Sequence, residues 1–146
     1  MEKRTQKRFV YEGFGFPVVL RNVPMVKVRG VWTPKVDFNQ LARSVLEALA
    51  LHPARLSGHE VKFVRHFFEM TLDKFAERFG VSHPAVLKWE RTADAPAKMS
   101  WGTEKDLRLF ILDELGAKAQ RLAATYRKLA RPVGTKSRRI TMDLAA

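Results

Sequence analysis

Residues 71–90 of the chain read TLDKFAERFGVSHPAVLKWE, and the fold prediction starts from this stretch. Apolar residues recur at helical spacing on both sides of Gly80, with Phe75 in the first half and Val86 in the second. Glycine adopts left-handed backbone conformations without strain, so a first short helix is expected to end at Gly80. Ser82 then begins a second helix, because a serine side chain satisfies a free backbone N–H group at a helix start. The stretch therefore predicts two short helices joined by a tight turn.

Further helices are predicted on both sides of this pair. Sequences that resemble capping boxes start at Asp37 and Ser57, and each precedes an apolar stripe at helical spacing. Thr103 is expected to begin a last helix that runs to about Ala130, although Gly116 weakens it by about 1 kcal/mol relative to Ala. Apolar residues of this helix are spaced by four and three in turn, as in the seam of paired helices. The seam either joins two copies of the chain, which we favour, or packs inside one. Its residues are Leu115, Ala119, Leu122, Tyr126 and Leu129.

The first third of the chain carries strand signals. Residues 16–20 form an apolar run, residues 22–24 are typical of a turn, and residues 25–32 alternate partly between apolar and charged. We therefore predict a mainly α fold with a small N-terminal β element, a five-helix domain and a long C-terminal helix. The predicted division is a basic arm and small β module over 1–36, a connecting helix over 37–53, a helix-turn-helix domain over 54–115, a C-terminal helix extension over 116–131 and a basic flexible tail over 132–146.

The 146-residue chain has a formal net charge of +12, and most of the excess lies at its two ends. Residues 1–8 carry a net charge of +3 and residues 127–146 carry +5. This balance favours a polyanionic partner, although basic tails alone also serve solubility. The absence of cysteine excludes disulfides, thiolate catalysis and cysteine-ligated zinc, and agrees with a reducing compartment. Because no apolar run is long enough to span a membrane and the charged N-terminus is unlike a secretory signal, we expect a cytoplasmic protein with no membrane contact.

The helix pair resembles the DNA-binding elbow of the XRE (Cro/repressor) family of regulators. The family pattern combines Thr, an apolar–Ala pair, Gly-Val-Ser, an aliphatic residue and Lys-Trp-Glu. This chain supplies Thr71, Phe75-Ala76, Gly80-Val81-Ser82, Val86 and Lys88-Trp89-Glu90. The resemblance covers roughly residues 56–115 and implies a Cro/repressor-type five-helix domain. In that family the second helix of the pair lies in the major groove, which is about 12 Å wide.

The resemblance also implies roles for single residues. His83, Pro84 and Lys88 match positions that face base edges, where a lysine donates to guanine O6 or N7. Thr71 and Ser82 match helix-start positions that bind phosphate. The family often has Gln directly after the threonine, whereas this chain has Leu, so a contact from that position is not carried over.

Residues outside the helix pair are given two further roles. The tail cluster Lys136, Arg138 and Arg139 either contacts phosphates or serves solubility. Arg65 and Glu90 match a pair that resembles the family's buried ion pair between the first and third helices, so we assign them a structural role.

The segment before the helix pair loosely resembles antitoxins of the MqsA type. Those proteins join an N-terminal module to a C-terminal helix-turn-helix, and this chain shows a β-then-helix pattern that includes Gly30-Val-Trp32. The resemblance implies that the N-terminal module binds a protein toxin. This chain departs from the family because it lacks the cysteines that bind zinc in that module.

Neither a metal site nor a catalytic site is predicted. His52, His59 and His66 are spaced by seven, but the last two would lie about 10.5 Å apart along one helix, too far for one zinc ion. His66 and Glu69 could form an acid–base pair, yet no nucleophile or anion-binding loop accompanies them. We therefore expect no enzyme, no cofactor and no metal.

These observations, with the resemblance to the XRE family, predict a sequence-specific regulator of transcription that binds double-stranded DNA and acts as a dimeric repressor. One alternative is an antitoxin that binds a partner toxin through its N-terminal module and autoregulates its operon. Another is a non-specific nucleic-acid binder that acts through its basic ends.

Overall fold

The structure, a computed structural model, describes residues 1–145. The chain separates into two compact units. The first unit contains residues 1–45 and the C-terminal residues from Arg139 onward, and the second unit is Leu46–Arg138. The division falls within the first helix, which spans Phe38–Ala50.

The described residues form an α/β fold of six helices and a mixed four-stranded sheet. The prediction of a mainly α fold with one small N-terminal β element is therefore wrong. The strands are β1 (Lys3–Tyr11), β2 (Val18–Val28), β3 (Val31–Pro34) and β4 (Ile140–Asp143). β2 is central, since β1 pairs antiparallel with one of its edges, while β3 (antiparallel) and β4 (parallel) pair with the other.

Both ends of the chain, predicted as a basic arm and a basic flexible tail, contribute strands to this sheet. β1 contains the charged N-terminal residues, and β4 lies within the 132–146 segment. Neither strand shows a clear apolar alternation: β1 has no buried residue, and β4 buries only Ile140. Pairing with β2 decides both strands, through a hairpin between neighbouring strands for β1 and through residues more than 100 positions away for β4, and the strands' own patterns do not reveal it.

β2 also runs through the segment predicted as a turn. Asn22 has a φ of +54°, yet pairing with β1 continues on both sides of it, and Pro24 lies opposite Thr5. The chain instead reverses at Arg29 and Gly30, with φ values of +51° and +79°. A two-residue loop with positive φ at both positions is typical of a type I′ hairpin, whose twist matches that of the flanking strands.

The core of the first unit combines apolar residues of β2 and β4 with the start of α1 (Phe38–Ala50). Asp37 caps this helix, because its Oδ1 accepts from the backbone N–H groups of Asn39 and Gln40 at 3.0 and 3.1 Å. The rings of Tyr11 and Phe38 lie 5.0 Å apart. The buried apolar residues are Phe16, Val18, Val19, Leu20, Val23, Met25, Val26, Leu41, Ala42, Val45 and Ile140.

The second unit contains the end of α1 and five further helices. These are α2 (Gly58–Phe67), α3 (Leu72–Arg78), α4 (His83–Glu90), α5 (Trp101–Glu114) and α6 (Ala119–Lys128). The segment predicted as a five-helix domain, residues 54–115, contains four of them, α2 to α5. The predicted long C-terminal helix from Thr103 to Ala130 is wrong, because α5 ends at Glu114 and Gly116, with a φ of +84°, turns the chain before α6.

The predicted dimer seam therefore does not lie on one helix. Leu115 follows α5, whereas Ala119, Leu122, Tyr126 and Leu129 lie on α6 or directly after it. Leu129 is buried, and its carbonyl accepts from Trp101 Nε1 at 2.8 Å, but Tyr126 is 56% exposed. Only Leu115 lies away from α6, because the spacing was counted across the break at Gly116, and pairing of two copies through the other four residues stays a prediction.

A buried ion pair that the sequence analysis missed connects α5 to the segment after α1. Arg108 is 0% exposed, and its guanidinium donates to Glu104 Oε2 at 2.8 Å and to the carbonyls of His52 and Ala54 at 2.6 and 2.7 Å. Glu104 also accepts from Arg55 Nε at 2.8 Å. Burial lowers the pKa of Arg108, and the carboxylate of Glu104 opposes that shift. A Glu–Arg pair four residues apart is common on exposed helix surfaces, so its spacing alone did not mark it as core.

Candidate nucleic-acid interface

The two helices predicted from residues 71–90 are present as α3 and α4. Thr71 caps α3, since its Oγ1 accepts from the backbone N–H of Lys74 at 3.1 Å, and Ser82 caps α4 in the same way through Ala85 at 3.3 Å. Gly80 lies between them with a φ of +65°, a conformation that side-chain-bearing residues rarely adopt. Each capping hydroxyl retains its own hydrogen for donation, so capping is compatible with the predicted phosphate contacts of Thr71 and Ser82.

α4 has one buried face and one exposed face. Val86 and Trp89 are 0% and 8% exposed and belong to the core of the second unit. Pro84, Lys88 and Arg91 are exposed and follow one another at spacings of four and three, so they share the opposite side of the helix. We call these three residues the exposed face of α4.

Two positive charges lie on the exposed face of α4. Within residues 1–145, neither Lys88 nor Arg91 has a carboxylate at ion-pair distance. Arg91 is the helix C-cap, and the sequence analysis missed it because the family pattern ends at Glu90. Its position three residues after Lys88 is the signal that would have found it.

His83, predicted to face base edges, contacts a neighbouring carboxylate. Its Nδ1 lies 2.6 Å from Oδ1 of Asp73 on α3, and its side chain is 42% exposed. Asp73 therefore engages Nδ1, and Nε2 is the ring nitrogen left to contact a base edge.

The predicted ion pair between Arg65 and Glu90 is present and connects α2 to the end of α4. Arg65 Nε and Nη2 donate to the two carboxylate oxygens of Glu90 at 2.7 and 2.9 Å. Arg65 Nη1 also donates to the carbonyl of Met70 at 3.0 Å, directly before α3. The two side chains are 11% and 8% exposed, so this bidentate pair holds the three helices together in a nearly dry environment.

A close backbone approach fixes the same junction from the other side. Gly58, the first residue of α2, is so near to α4 that a Cβ would clash with the backbone carbonyl oxygens of Trp89 and Glu90. Its N–H group also donates to the carbonyl of Ala95 at 3.3 Å. Glycine is therefore required here by space rather than by backbone conformation.

The tail residues with predicted phosphate contacts fall in different units. Lys136 and Arg138 are exposed in the second unit, and Arg139 is exposed in the first. The carbonyl of Arg138 accepts from Nε2 of the buried His52 at 3.0 Å, so this part of the tail is held by a hydrogen bond. Burial lowers the pKa of His52, which favours the neutral ring as donor.

In residues 1–145, no three His, Asp or Glu side chains are grouped so that they could hold a metal ion. None of the helices in this part of the chain is both long and apolar enough to cross a membrane. Comparison of the chain with protein-family models, with curated proteins and with solved structures finds no match.

Proposed function

We propose that the chain is a sequence-specific regulator of transcription that binds double-stranded DNA through α3 and α4 and represses by occluding a promoter. The observation that carries this proposal is the exposed face of α4, which presents two cations without carboxylate partners. An α-helix with its side chains is about 10–12 Å across and fits a major groove about 12 Å wide.

Each residue of this face has a specific chemical role in the proposal. Lys88 donates to guanine O6 or N7, and Pro84 makes an apolar contact with a thymine methyl group. Arg91 reaches either a base edge or a phosphate from the end of the helix. Ser82 donates its hydroxyl hydrogen to a phosphate at the helix N-terminus, where the helix dipole also favours negative charge.

Rigid support of α4 favours this role. Trp89 and Val86 anchor one face of the helix, and the Arg65–Glu90 pair and the Gly58 contact fix its C-terminal end. A recognition helix held in one orientation loses little conformational entropy on binding, which benefits discrimination between bases. The second unit has 17 Lys and Arg against 11 Asp and Glu, but residues 127–138 supply five of these six excess charges, so the net charge of the unit does not itself favour α3 and α4.

Selection of bound sequences from a random duplex pool tests the proposal. The salt concentration is kept at ~150 mM, where binding through phosphates alone is weakened. Enrichment of a motif is the expected result; an inverted repeat would support a dimer, and a single half-site would support a monomer. Absence of enrichment, with binding that disappears as the salt concentration rises, would contradict sequence reading.

A further inference from the structure

The strongest feature outside the helix pair is the charge on β1. This strand contains Lys3, Arg4, Lys7 and Arg8 and no acidic residue, and all four side chains are exposed. The first unit as a whole has ten Lys and Arg against four Asp and Glu. Among the described residues, Lys3, Lys7 and Arg8 have no carboxylate at ion-pair distance. β1 therefore presents an excess of positive charge that the unit does not neutralise.

One pair of these charges opposes folding of the sheet. Arg8 lies directly opposite Arg21 of β2, and both side chains are exposed. Like charges directly opposite each other in an antiparallel pair are destabilising. Asp143 of β4 lies opposite Arg21 on the other edge of β2. The hydrogen bond from Asn22 is the main cause of the lowered pKa of Asp143, and the charge of Arg21 contributes to it, so this carboxylate offsets part of the repulsion. An external anion would relieve the rest.

β1 is also an edge strand. Among the described residues, no strand pairs with its second edge, so peptide N–H groups along that edge have no strand partner. A second copy of β1 is a poor occupant, because antiparallel pairing would bring Lys3 and Arg4 of one copy towards Lys7 and Arg8 of the other. A polyanion complements both the side-chain charges and the free donors.

We propose that β1 together with Arg21 forms a second, sequence-independent docking surface for the phosphates of nucleic acid. Side chains alternate between the two faces of a strand, so Lys3 and Lys7 share one face of β1, and Arg4 and Arg8 share the other with Arg21. The open edge of β1 lies between the two faces, so a polyanion along this edge meets cations from both, at a spacing of about 13 Å within each face. Each strand of B-DNA carries one phosphate per ~3.4 Å of helix axis, so cations about 13 Å apart along β1 can contact more than one phosphate of the same backbone. This proposal rests on the proposed function only in placing the protein on nucleic acid, and it does not require α4 to read sequence.

The salt dependence of duplex binding tests this surface. The dissociation constant of the full chain for a random-sequence duplex is measured over a series of salt concentrations, for wild type and for Lys7→Gln/Arg8→Gln. Each phosphate contact contributes about 0.9 to the slope of log Kd against log salt, so the double variant should lower the slope by about 2.

A matched control removes two positive charges from elsewhere in the same unit. Lys35 and Arg43 are exposed and lie outside β1 and β2, so Lys35→Gln/Arg43→Gln should leave the slope unchanged. Equal slopes for wild type and Lys7→Gln/Arg8→Gln, or an equal decrease in both double variants, would overturn the proposal. Loss of vesicle binding by Lys7→Gln/Arg8→Gln would also overturn the proposal, if the variant no longer binds phosphatidylserine vesicles but still binds duplex as wild type does. That result would assign the surface to a membrane.

A second measurement uses the wild-type chain and does not depend on folding of the variants. Acetylation of Lys3 and Lys7 should slow when random duplex is added, whereas Lys35 should react at the same rate with and without it. Equal reaction of Lys7 in both conditions would reject the surface. Failure of the proposed function gives a different result, because the wild-type chain would then enrich no motif from the random pool. Loss of the β1 contacts leaves any enriched motif unchanged.

Discussion

Arg65 donates to Glu90 through two nitrogens and to the carbonyl of Met70 through a third, so a single guanidinium fixes the orientation of α4. Removal of the arginine leaves a carboxylate that is 8% exposed without its partner. We expect Arg65→Ala to lower the free energy of unfolding by about 3–5 kcal/mol, as measured by urea denaturation. Arg121→Ala is the control, since the Arg121–Glu47 pair is 42% and 48% exposed and should contribute under about 1 kcal/mol. Similar losses in the two variants would contradict a buried, orienting pair.

His52 predicts a pH dependence of stability. Burial lowers its pKa, the charges of Arg108 and Arg138 add to that effect, and the hydrogen bond to the Arg138 carbonyl and the charge of Glu104 oppose it. Below the ordinary histidine pKa of about 6.5, the unfolded chain therefore binds a proton that the folded chain does not, and stability falls as the pH drops towards the folded-state value. Above that window His52 is neutral in both states and contributes no pH dependence.

The variant His52→Gln isolates this contribution. Glutamine keeps a side-chain N–H donor for the Arg138 carbonyl but does not titrate. The free energy of unfolding, followed by urea denaturation from pH 7 to pH 5, should therefore fall less for the variant than for wild type. Burial raises the pKa of Glu60, so above the ordinary carboxyl pKa this group lowers stability as the pH rises, which is opposite to the effect of His52. Glu60 is present in both proteins, so its effect cancels in the comparison. Parallel curves would rule out His52 as the source.

At the scale of elements, the junction between α2 and α4 depends on the absence of a side chain at one position. A methyl group on Gly58 would meet two backbone carbonyl oxygens of α4 closer than van der Waals contact allows. Gly58→Ala should therefore lower the melting temperature and destabilise the fold by roughly 1–3 kcal/mol, the usual cost of overpacking. Gly102, in the first turn of α5, has open space around its Cβ position, so Gly102→Ala should stabilise by up to about 1 kcal/mol. A neutral effect of Gly58→Ala would show that α2 and α4 separate easily.

Elements defined by local chemistry could be predicted from the sequence, and elements defined by distant partners could not. The caps at Ser57, Thr71 and Ser82 lie next to the helices that they begin, so α2, α3 and α4 follow from short stretches of chain. β1 and β4 depend on pairing with β2, and β4 is more than 100 residues away from it along the chain. Gly116 marked a weak point in the last helix, but only the structure shows a break there.

The same distinction applies to the candidate site. Lys88 and the Arg65–Glu90 pair could be predicted because a family resemblance supplied their positions. The contact between His83 and Asp73 joins residues ten positions apart on two helices, and no spacing rule predicts it. Arg91 lay one residue beyond the quoted motif and was found only from its exposure on α4.

At the scale of the whole molecule, each unit has a net charge of +6, and residues 127–138 supply five of the six excess charges of the second unit. Removal of residues 1–8 and 132–146 would delete much of β1 and all of β4, and therefore cannot separate tail binding from folding. Substitution of single charged residues leaves both strands in place and therefore separates nucleic-acid binding from folding. The antitoxin hypothesis stays a prediction, and co-purification of a protein that binds the first unit would support it.

The affinity of Lys88→Ala for two duplexes tests the central claim most directly. One duplex carries the motif enriched by wild type, and the other has the same composition in scrambled order. We predict a loss of about 1–3 kcal/mol on the enriched duplex and little change on the scrambled one, because Lys88 contacts a base edge in the proposed complex. Lys118→Ala, which removes an exposed charge at the start of α6, should affect neither duplex selectively. An equal loss for Lys88→Ala on both duplexes would contradict sequence reading by α4.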